Sequence, residues 1–297
     1  MPRMSPMLAG RAEAPFDAEG WIFEVKWDGY RCLSYISCRG IYLDSRNGRP
    51  LLPKFPSLAS IREALRAEEA LLDGEVVAFR EGRADFSYLR SGASAVVLAV
   101  FDLLWLDGEP LLEIPLRERR ERLRQVLAWG EGRPVFLSEA VEGRGQALYE
   151  WACGRGLEGV MAKKADSPYY PGKRSDNWLK IKNLREGRFW VVGYAPSPGR
   201  RIGSLMLAER EGATYRIVGR VASGLDGDLE RRLLASLQPL DGPAPPANVE
   251  GLPSKAQARL LQWVKPFFGV EVSYTEMTSD GRLRHPVLRE VLSPDAG

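Results

Sequence analysis

The chain has 297 residues, 44% hydrophobic and 27% charged, a balance that fits a soluble globular protein of one large or two ordinary domains. Its net charge of +3 supplies no global field for nucleic acid, so a polyanionic partner has to be held by local basic patches. Three cysteines, Cys32, Cys38 and Cys153, have no metal-type spacing and are odd in number, which argues against a disulfide framework and fits a reducing compartment.

The start of the chain shows no apolar segment of signal-peptide length. The longest apolar run, residues 95–106, contains Asp102 and is too short to cross a bilayer. The expectation is a cytoplasmic protein with no membrane contact. Lysine is scarce: nine of the 42 basic residues, and five of those are Lys26, Lys163, Lys164, Lys180 and Lys182. Arginine cannot replace lysine where a deprotonated amine or a compact point charge is needed.

In chain order, an apolar strand over residues 21–25 leads into Lys26, and a second over 32–37 follows Asp28-Gly29. Asp-Gly between two such runs predicts a tight hairpin-like reversal with Lys26 at a strand end. The lysine there is a nucleophile, if its neighbours orient a target, or a solvated surface amine. Residues 41–43 read as a strand closed by Ser45-Arg46-Asn47-Gly48, a turn whose Arg46 is either a loop charge or an anion contact. Residues 57–70 predict a helix with capping-box spacing at Ser60 and Glu63 and Leu58, Ile61 and Leu65 on its core face. Asp73-Gly74 reads as a turn before a strand that places Glu75, Val77 and Phe79 on one face. A carboxylate there is a metal ligand, an acceptor for hydroxyls, an arginine partner or a solvated edge residue. Residues 95–106 predict a strand buried on both faces, carrying Phe101 and Asp102.

Residues 116–129 predict an Arg/Glu-rich helix with its charges on a solvated face, ended by Gly130. Residues 145–153 predict another helix, with Leu148, Trp151 and Ala152 on its buried side. Glu158 lies between Gly156 and Gly159 in a turn that enters a strand. In residues 178–182, strand alternation sends Lys180 and Lys182 from one face, where they repel unless an anion lies between them. After residues 184–188 the pattern changes to short strands, one helix at residues 228–237 and Gly/Pro-rich turns. That pattern predicts a five-stranded barrel of the OB type.

The order and spacing of these stretches resemble the ATP-dependent DNA ligases of the covalent nucleotidyltransferase superfamily, in particular the bacterial ligase D end-joining type. The signature falls at Lys26, Asp28, Gly29 and Arg31, then at Ser45-Arg46-Asn47-Gly48, Asp73-Gly74-Glu75, Phe101-Asp102, Glu158-Gly159-Val160-Met161-Ala162-Lys163 and Trp178-Leu179-Lys180-Ile181-Lys182. Val218-Gly219-Arg220-Val221 and Arg284-His285-Pro286-Val287 extend it into the second domain. The resemblance implies an α+β fold. A nucleotidyltransferase (adenylation) domain of antiparallel sheets and helices over residues 1–184 precedes an OB-fold β-barrel over residues 185–297, with a hinge at residues 184–188.

It also implies roles. Lys26 attacks the α-phosphate of ATP and carries AMP as a phosphoramidate. Glu24 and Phe101 hold adenine, Arg31 and Glu75 the ribose side, and Arg46 and Arg174 the nucleotide or nick phosphates. Glu158 binds a divalent metal, Mg²⁺ or alternatively Mn²⁺, with Glu75 or Asp28, and Lys180 and Lys182 hold phosphates. The implied substrate is nicked double-stranded DNA, and the implied protein is a monomer that a Ku-like end-binding protein could serve.

One departure stands out. The family ends its barrel with an Arg-x-Asp-Lys type motif, where this chain places Leu292, or Arg289 after a short deletion. Two alternatives keep the lysine motif or the fold: a GTP-using capping enzyme or RNA ligase, and a non-catalytic nick-binding protein.

Overall fold

The computed structural model describes residues 1–292 except Ser94, Trp129, Glu131, Pro243 and Ser279. The chain divides into two compact units, Met1–Asn183 and Leu184–Gly297.

The first unit is built on two sheets. One runs, in spatial order, Leu8–Arg11, Arg174–Lys182, Gly159–Lys164, Trp21–Val25 and Ala140–Glu142. The other runs Gly40–Ser45, Tyr30–Ser37, Ala70–Arg80, Val96–Leu106 and Glu109–Pro110, with Val135–Leu137 pairing parallel to Val96–Leu106. Alternation in the second sheet separates two cores. Cys32, Ile36, Leu72, Val76 and Val100 face a core that includes Leu58 and Ile61. Leu33, Tyr35, Leu71 and Phe101 face the other way, onto Met7, Ile22, Tyr169 and Trp178 from the first sheet and its connections.

Several local predictions give way to this architecture. Asp28-Gly29 is not a hairpin: the strand before it pairs with Gly159–Lys164 and Ala140–Glu142, while the strand after it pairs with Gly40–Ser45 and Ala70–Arg80. The segment crosses between sheets, and glycine is needed at position 29 because a Cβ there would lie 2.1 Å from the Val76 carbonyl oxygen. Asp73-Gly74 is no turn either, since Ala70–Arg80 passes straight through it. A Cβ on Gly74 would meet the Ala99 carbonyl oxygen at 2.7 Å. The predicted helix over 57–70 is a 3-10 helix, Pro56–Ala64, that buries Leu58 and Ile61. Ser60 there donates to the Ser57 carbonyl instead of capping, and the helix stops before Leu65, which is extended and bridges to Leu127. The helix Gly145–Gly154 buries Ala152, but Trp151 is 45% exposed, with the Arg155 guanidinium over its ring at 4.3 Å.

The Arg/Glu-rich helix spans Leu116–Val126; the predicted end at Trp129 lies outside the described residues. Its charges do not all face solvent. Arg119 and Arg120 are 0% and 2% exposed. With Leu116 and Leu123 they occupy i, i+3, i+4 and i+7, the spacing of a single core-facing stripe. Arg119 forks onto Asp102 with two bonds of 2.8 Å, a geometry that lets both charges sit at zero exposure.

The second unit runs Val249–Glu250, Thr214–Val221, Arg200–Glu211, Arg185–Ser197, Gly269–Tyr274 and Val287–Val291. A parallel bridge between Ser223 and Val287 returns the last strand to the end of Thr214–Val221, closing the path into an OB-type barrel. Phe189, Leu205, Val218, Val270 and Leu288 fill one core. The helix Gly227–Ser236 is capped by Asp226, whose carboxylate accepts from the Asp228 and Leu229 amides at 3.0 and 2.8 Å. Arg185 to Arg188 are already in register with Tyr274 to Glu271, so the residues between strands at the expected hinge are Asn183 and Leu184. No helix among the described residues is long and apolar enough to cross a membrane.

Candidate active site

Lys26 follows the last residue of Trp21–Val25, and its amide donates to the Gly159 carbonyl at 2.9 Å. That bond sets it beside the Glu158-Gly159 turn, where its ammonium pairs with the Glu158 carboxylate. Gly159 has φ +134°, and a Cβ on it would lie 2.1 Å from the Ile181 carbonyl oxygen, so only glycine lets the strands close at this corner. The registers Met161 with Glu24, and Met161 with Lys180, place all three on one sheet face, joined by Lys163, Trp178 and Lys182 two positions along.

That face lines a cavity of about 680 Å³ in the first unit. Every residue assigned a site role by its motif borders it: Glu24, Lys26, Arg31, Arg46, Glu75, Phe101, Glu158, Arg174, Lys180 and Lys182. Asp28, the alternative metal ligand, lies between the lining residues Trp27 and Gly29 without bordering the cavity itself. The walls carry nine cationic side chains against three carboxylates, the balance of a site for a polyanion. Partial burial and the like charges of Lys182, Arg174, Lys26 and Arg46 press the Lys180 ammonium below its usual range. Lys182 lies 3.9 Å from Glu158, and the Arg174 guanidinium donates to the Ala9 carbonyl.

The opposite end is drier. Glu24 is 1% exposed; its Oε2 takes Arg120 at 3.1 Å and its Oε1 pairs with Lys163, itself 1% exposed. Burial lowers the Lys163 ammonium's affinity for its proton, with Glu24 opposing. That ammonium lies 4.0 Å from the centre of the Phe101 ring and 4.2 Å from that of Trp178. Phe101 reaches this side because of a bulge: Asp73 pairs with Asp102 and Gly74 with Val100, leaving Phe101 as the extra residue. Arg31 forks onto Asp73 with two bonds of 2.6 Å and lies 4.8 Å from the Phe101 ring centre. Burial opposes its charge, but the fully buried Asp73 carboxylate outweighs it and holds the guanidinium above its ordinary range. Tyr169 donates to the same carboxylate at 2.7 Å.

Residues 6–182 match the family described as the ATP dependent DNA ligase domain, and residues 198–293 match the ATP dependent DNA ligase C terminal region. The chain belongs to the ATP-dependent DNA ligases. Among curated relatives it is 36% identical over 298 residues to the multifunctional non-homologous end joining protein LigD of Mycolicibacterium smegmatis, covering 98% of this chain and 38% of that one. It is 32% identical to DNA ligase C1 of the same organism, covering 96% of this chain and 88% of that one. Of the solved structures, a mycobacterial DNA ligase D complexed with ATP and MES is 33% identical over 98% of this chain and 95% of that chain, with a TM-score of 0.59. The chain thus corresponds to the ligase region of a LigD-type protein and spans about two fifths of the length of the LigD relatives it matches.

Asp73, Met161, Lys163 and Trp178, which lie in the quoted motifs but were given no role, and Arg120, which lies outside them, also build the site. The i, i+3, i+4, i+7 stripe through Arg119 and Arg120 was the available signal for the last. Glu75 and Glu158 are the carboxylates that could hold a divalent cation. No cluster of three or more acidic, His or Cys ligands occurs among the described residues. Two carboxylates fit Mg²⁺, which keeps waters and takes substrate phosphates as its other ligands. Burial, reinforced by Glu158 and Asp73 and opposed by Arg31 and Lys26, pushes the Glu75 carboxyl up to about 8. The altered barrel terminus is partly visible: Arg289 donates to Ser273 Oγ at 2.8 Å and the Leu292 amide to the Gly269 carbonyl at 3.0 Å, while Ser293 to Asp295 lie outside the described residues.

Proposed function

We propose that this chain seals nicks bearing 5′-phosphate and 3′-hydroxyl ends through a covalent AMP on Lys26, in DNA repair by end joining. The observation that carries the reading is the placement of Lys26 at the wall of one cation-rich cavity, between the Glu158 carboxylate and the face bearing Lys180 and Lys182. In the first step the Lys26 amine attacks the α-phosphate of ATP, forming an N–P bond as pyrophosphate leaves. AMP then passes to the 5′-phosphate, freeing Lys26, and the 3′-hydroxyl attacks that phosphate with release of AMP. Phosphoryl transfer of this kind needs in-line positioning and charge neutralisation more than acid–base groups.

Lys180, Lys182, Arg46 and Arg174 neutralise and orient phosphates. Arg31, fixed by Asp73, and Glu75 hold the ribose side, and Glu24 and Phe101 receive adenine. Glu158 and Glu75 would hold Mg²⁺, or Mn²⁺ in its place. When bound, the cation would supply Lewis-acid polarisation of the phosphate. Residues 1–184 act as the nucleotidyltransferase domain and residues 185–297 as the OB-fold domain. The protein works as a cytoplasmic monomer on nicked double-stranded DNA, delivered by a Ku-like partner.

Incubation with a divalent cation and α-labelled ATP or GTP, followed by a denaturing gel and a chase with nicked DNA, tests this. Label from ATP alone, absent in Lys26→Ala and chased into sealed DNA, is expected. Label from GTP would move the chain to the capping branch. An unlabelled chain that also fails to seal a pre-adenylylated nick would leave only a nick-binding role.

A further inference from the structure

Arg119 and Arg120 are adjacent on one helix, equally buried and equally rich in partners, yet they serve different places. Arg119 bonds Asp102 and the carbonyls of Ile114 and Ser167, none of which borders the cavity. Arg120 bonds three points that all bear on it. Its Nη1 donates to Glu24 Oε2 at 3.1 Å and to the Phe101 carbonyl at 2.9 Å. Its Nη2 donates to the Ser138 carbonyl at 2.7 Å. Ser138 Oγ in turn accepts from Trp27 Nε1 at 2.9 Å, and Trp27 is the residue after the nucleophile. One planar guanidinium therefore fastens the strand of Glu24, the bulge of Phe101 and the segment that supports Trp27.

We propose that Arg120 is a positioning residue that sets the base selectivity of the ligase by fixing the Glu24 carboxylate at the cavity wall. The inference rests on the reading of Glu24 as the group that meets the base. With Oε1 on Lys163 and Oε2 on Arg120, the carboxylate has one orientation. Each oxygen keeps a further lone pair, so the carboxylate can accept from an exocyclic amine and repels a carbonyl oxygen in the same place. A carboxylate fixed by a planar fork discriminates between those two groups. One held by a mobile ammonium alone can turn away.

The test compares kcat/KM for self-adenylylation with ATP against a purine ribonucleoside triphosphate lacking the 6-amino group. Arg120→Lys and Arg120→Gln are expected to lower the ratio about tenfold, through loss of a charge-assisted bond to Glu24. The fall in this ratio should exceed any fall in the sealing of a pre-adenylylated nick, and Arg119→Lys should keep the wild-type ratio. A wild-type ratio in both Arg120 variants, with a lowered one in Glu24→Gln, would overturn the proposal while leaving the reading of Glu24 intact. An unchanged ratio in Glu24→Gln would overturn that reading and the proposal with it. A shift of equal size in Arg119→Lys, or an equal loss of sealing and adenylylation in the Arg120 variants, would assign Arg120 to packing alone.

Discussion

The two ends of the cavity solve opposite electrostatic problems with the same residue types. Around Glu24, charges are buried and each is matched to a partner of opposite sign: Arg120 and Lys163 share the Glu24 carboxylate, and Arg31 meets Asp73. Around Lys26, the cations Arg46, Arg174, Lys180 and Lys182 are part-exposed to exposed and outnumber the carboxylates Glu75 and Glu158. A matched, dry end suits a neutral part of a ligand, because each buried charge there already has a partner of opposite sign. A surplus of half-solvated cations suits an anion that completes the site on arrival. On the proposed reading, recognition of a base and handling of phosphates are separated along one sheet face, from Trp178 and Lys163 to Lys182 and Glu158.

The sharpest way to break the comparison is at the nucleophile. Lys26→Ala removes the amine that pairs most closely with Glu158 and is expected to abolish covalent label entirely, read on a denaturing gel. Label retained in that variant would place the covalent chemistry on another lysine of the cationic end. Next in size is the matched end. Asp73→Ala leaves Arg31 and the Tyr169 hydroxyl facing a hole at a fully buried position. Urea unfolding of the first unit's transition should show a loss of about 3–5 kcal/mol, the usual cost of breaking a buried pair from one side. A loss under about 1 kcal/mol would mean that water reaches Asp73 and that this end is not dry.

The surplus end should respond in rate and not in stability. Lys180→Ala is expected to slow adenylylation by about a hundredfold, the scale for one preorganised charge-stabilising donor. Its melting temperature should hold or rise, because the ammonium is repelled by Lys182, Arg174, Lys26 and Arg46. A clear fall in melting temperature would show that Lys180 is held by partners in the free protein and that the end is not in surplus.

These contrasts also mark what the sequence could convey. Alternation places Lys180 and Lys182 on one face, and short strands with Gly/Pro turns predict a barrel; both follow from period-two patterning that needs no knowledge of partners. Asp28-Gly29 and Asp73-Gly74 look alike locally, yet neither is a hairpin. One crosses between sheets and the other runs inside a strand, because each glycine serves a close approach to a carbonyl oxygen rather than a turn. Phe101 is legible as a residue in a buried strand but its side is not, since a bulge of one residue changes the face and depends on the neighbouring strand.

The helix Leu116–Val126 offers the smallest and cleanest comparison, within eleven residues. Counting charge predicts a solvated helix, whereas the structure turns two of its arginines inward with Leu116 and Leu123 at i, i+3, i+4 and i+7. Arg122 keeps the first expectation: it pairs with Glu109 at 3.1 Å, with 34% and 57% of the two side chains exposed. Arg122→Ala should therefore change stability by no more than about 0.5 kcal/mol, as an exposed pair gains little over hydration. Arg119→Ala, three positions away, should cost about 3–5 kcal/mol by stranding Asp102. The two urea midpoints, measured side by side, test whether position on the helix or charge count governs. If Arg122→Ala cost as much as Arg119→Ala, the inward stripe would have no special standing, and charge count alone would govern the helix.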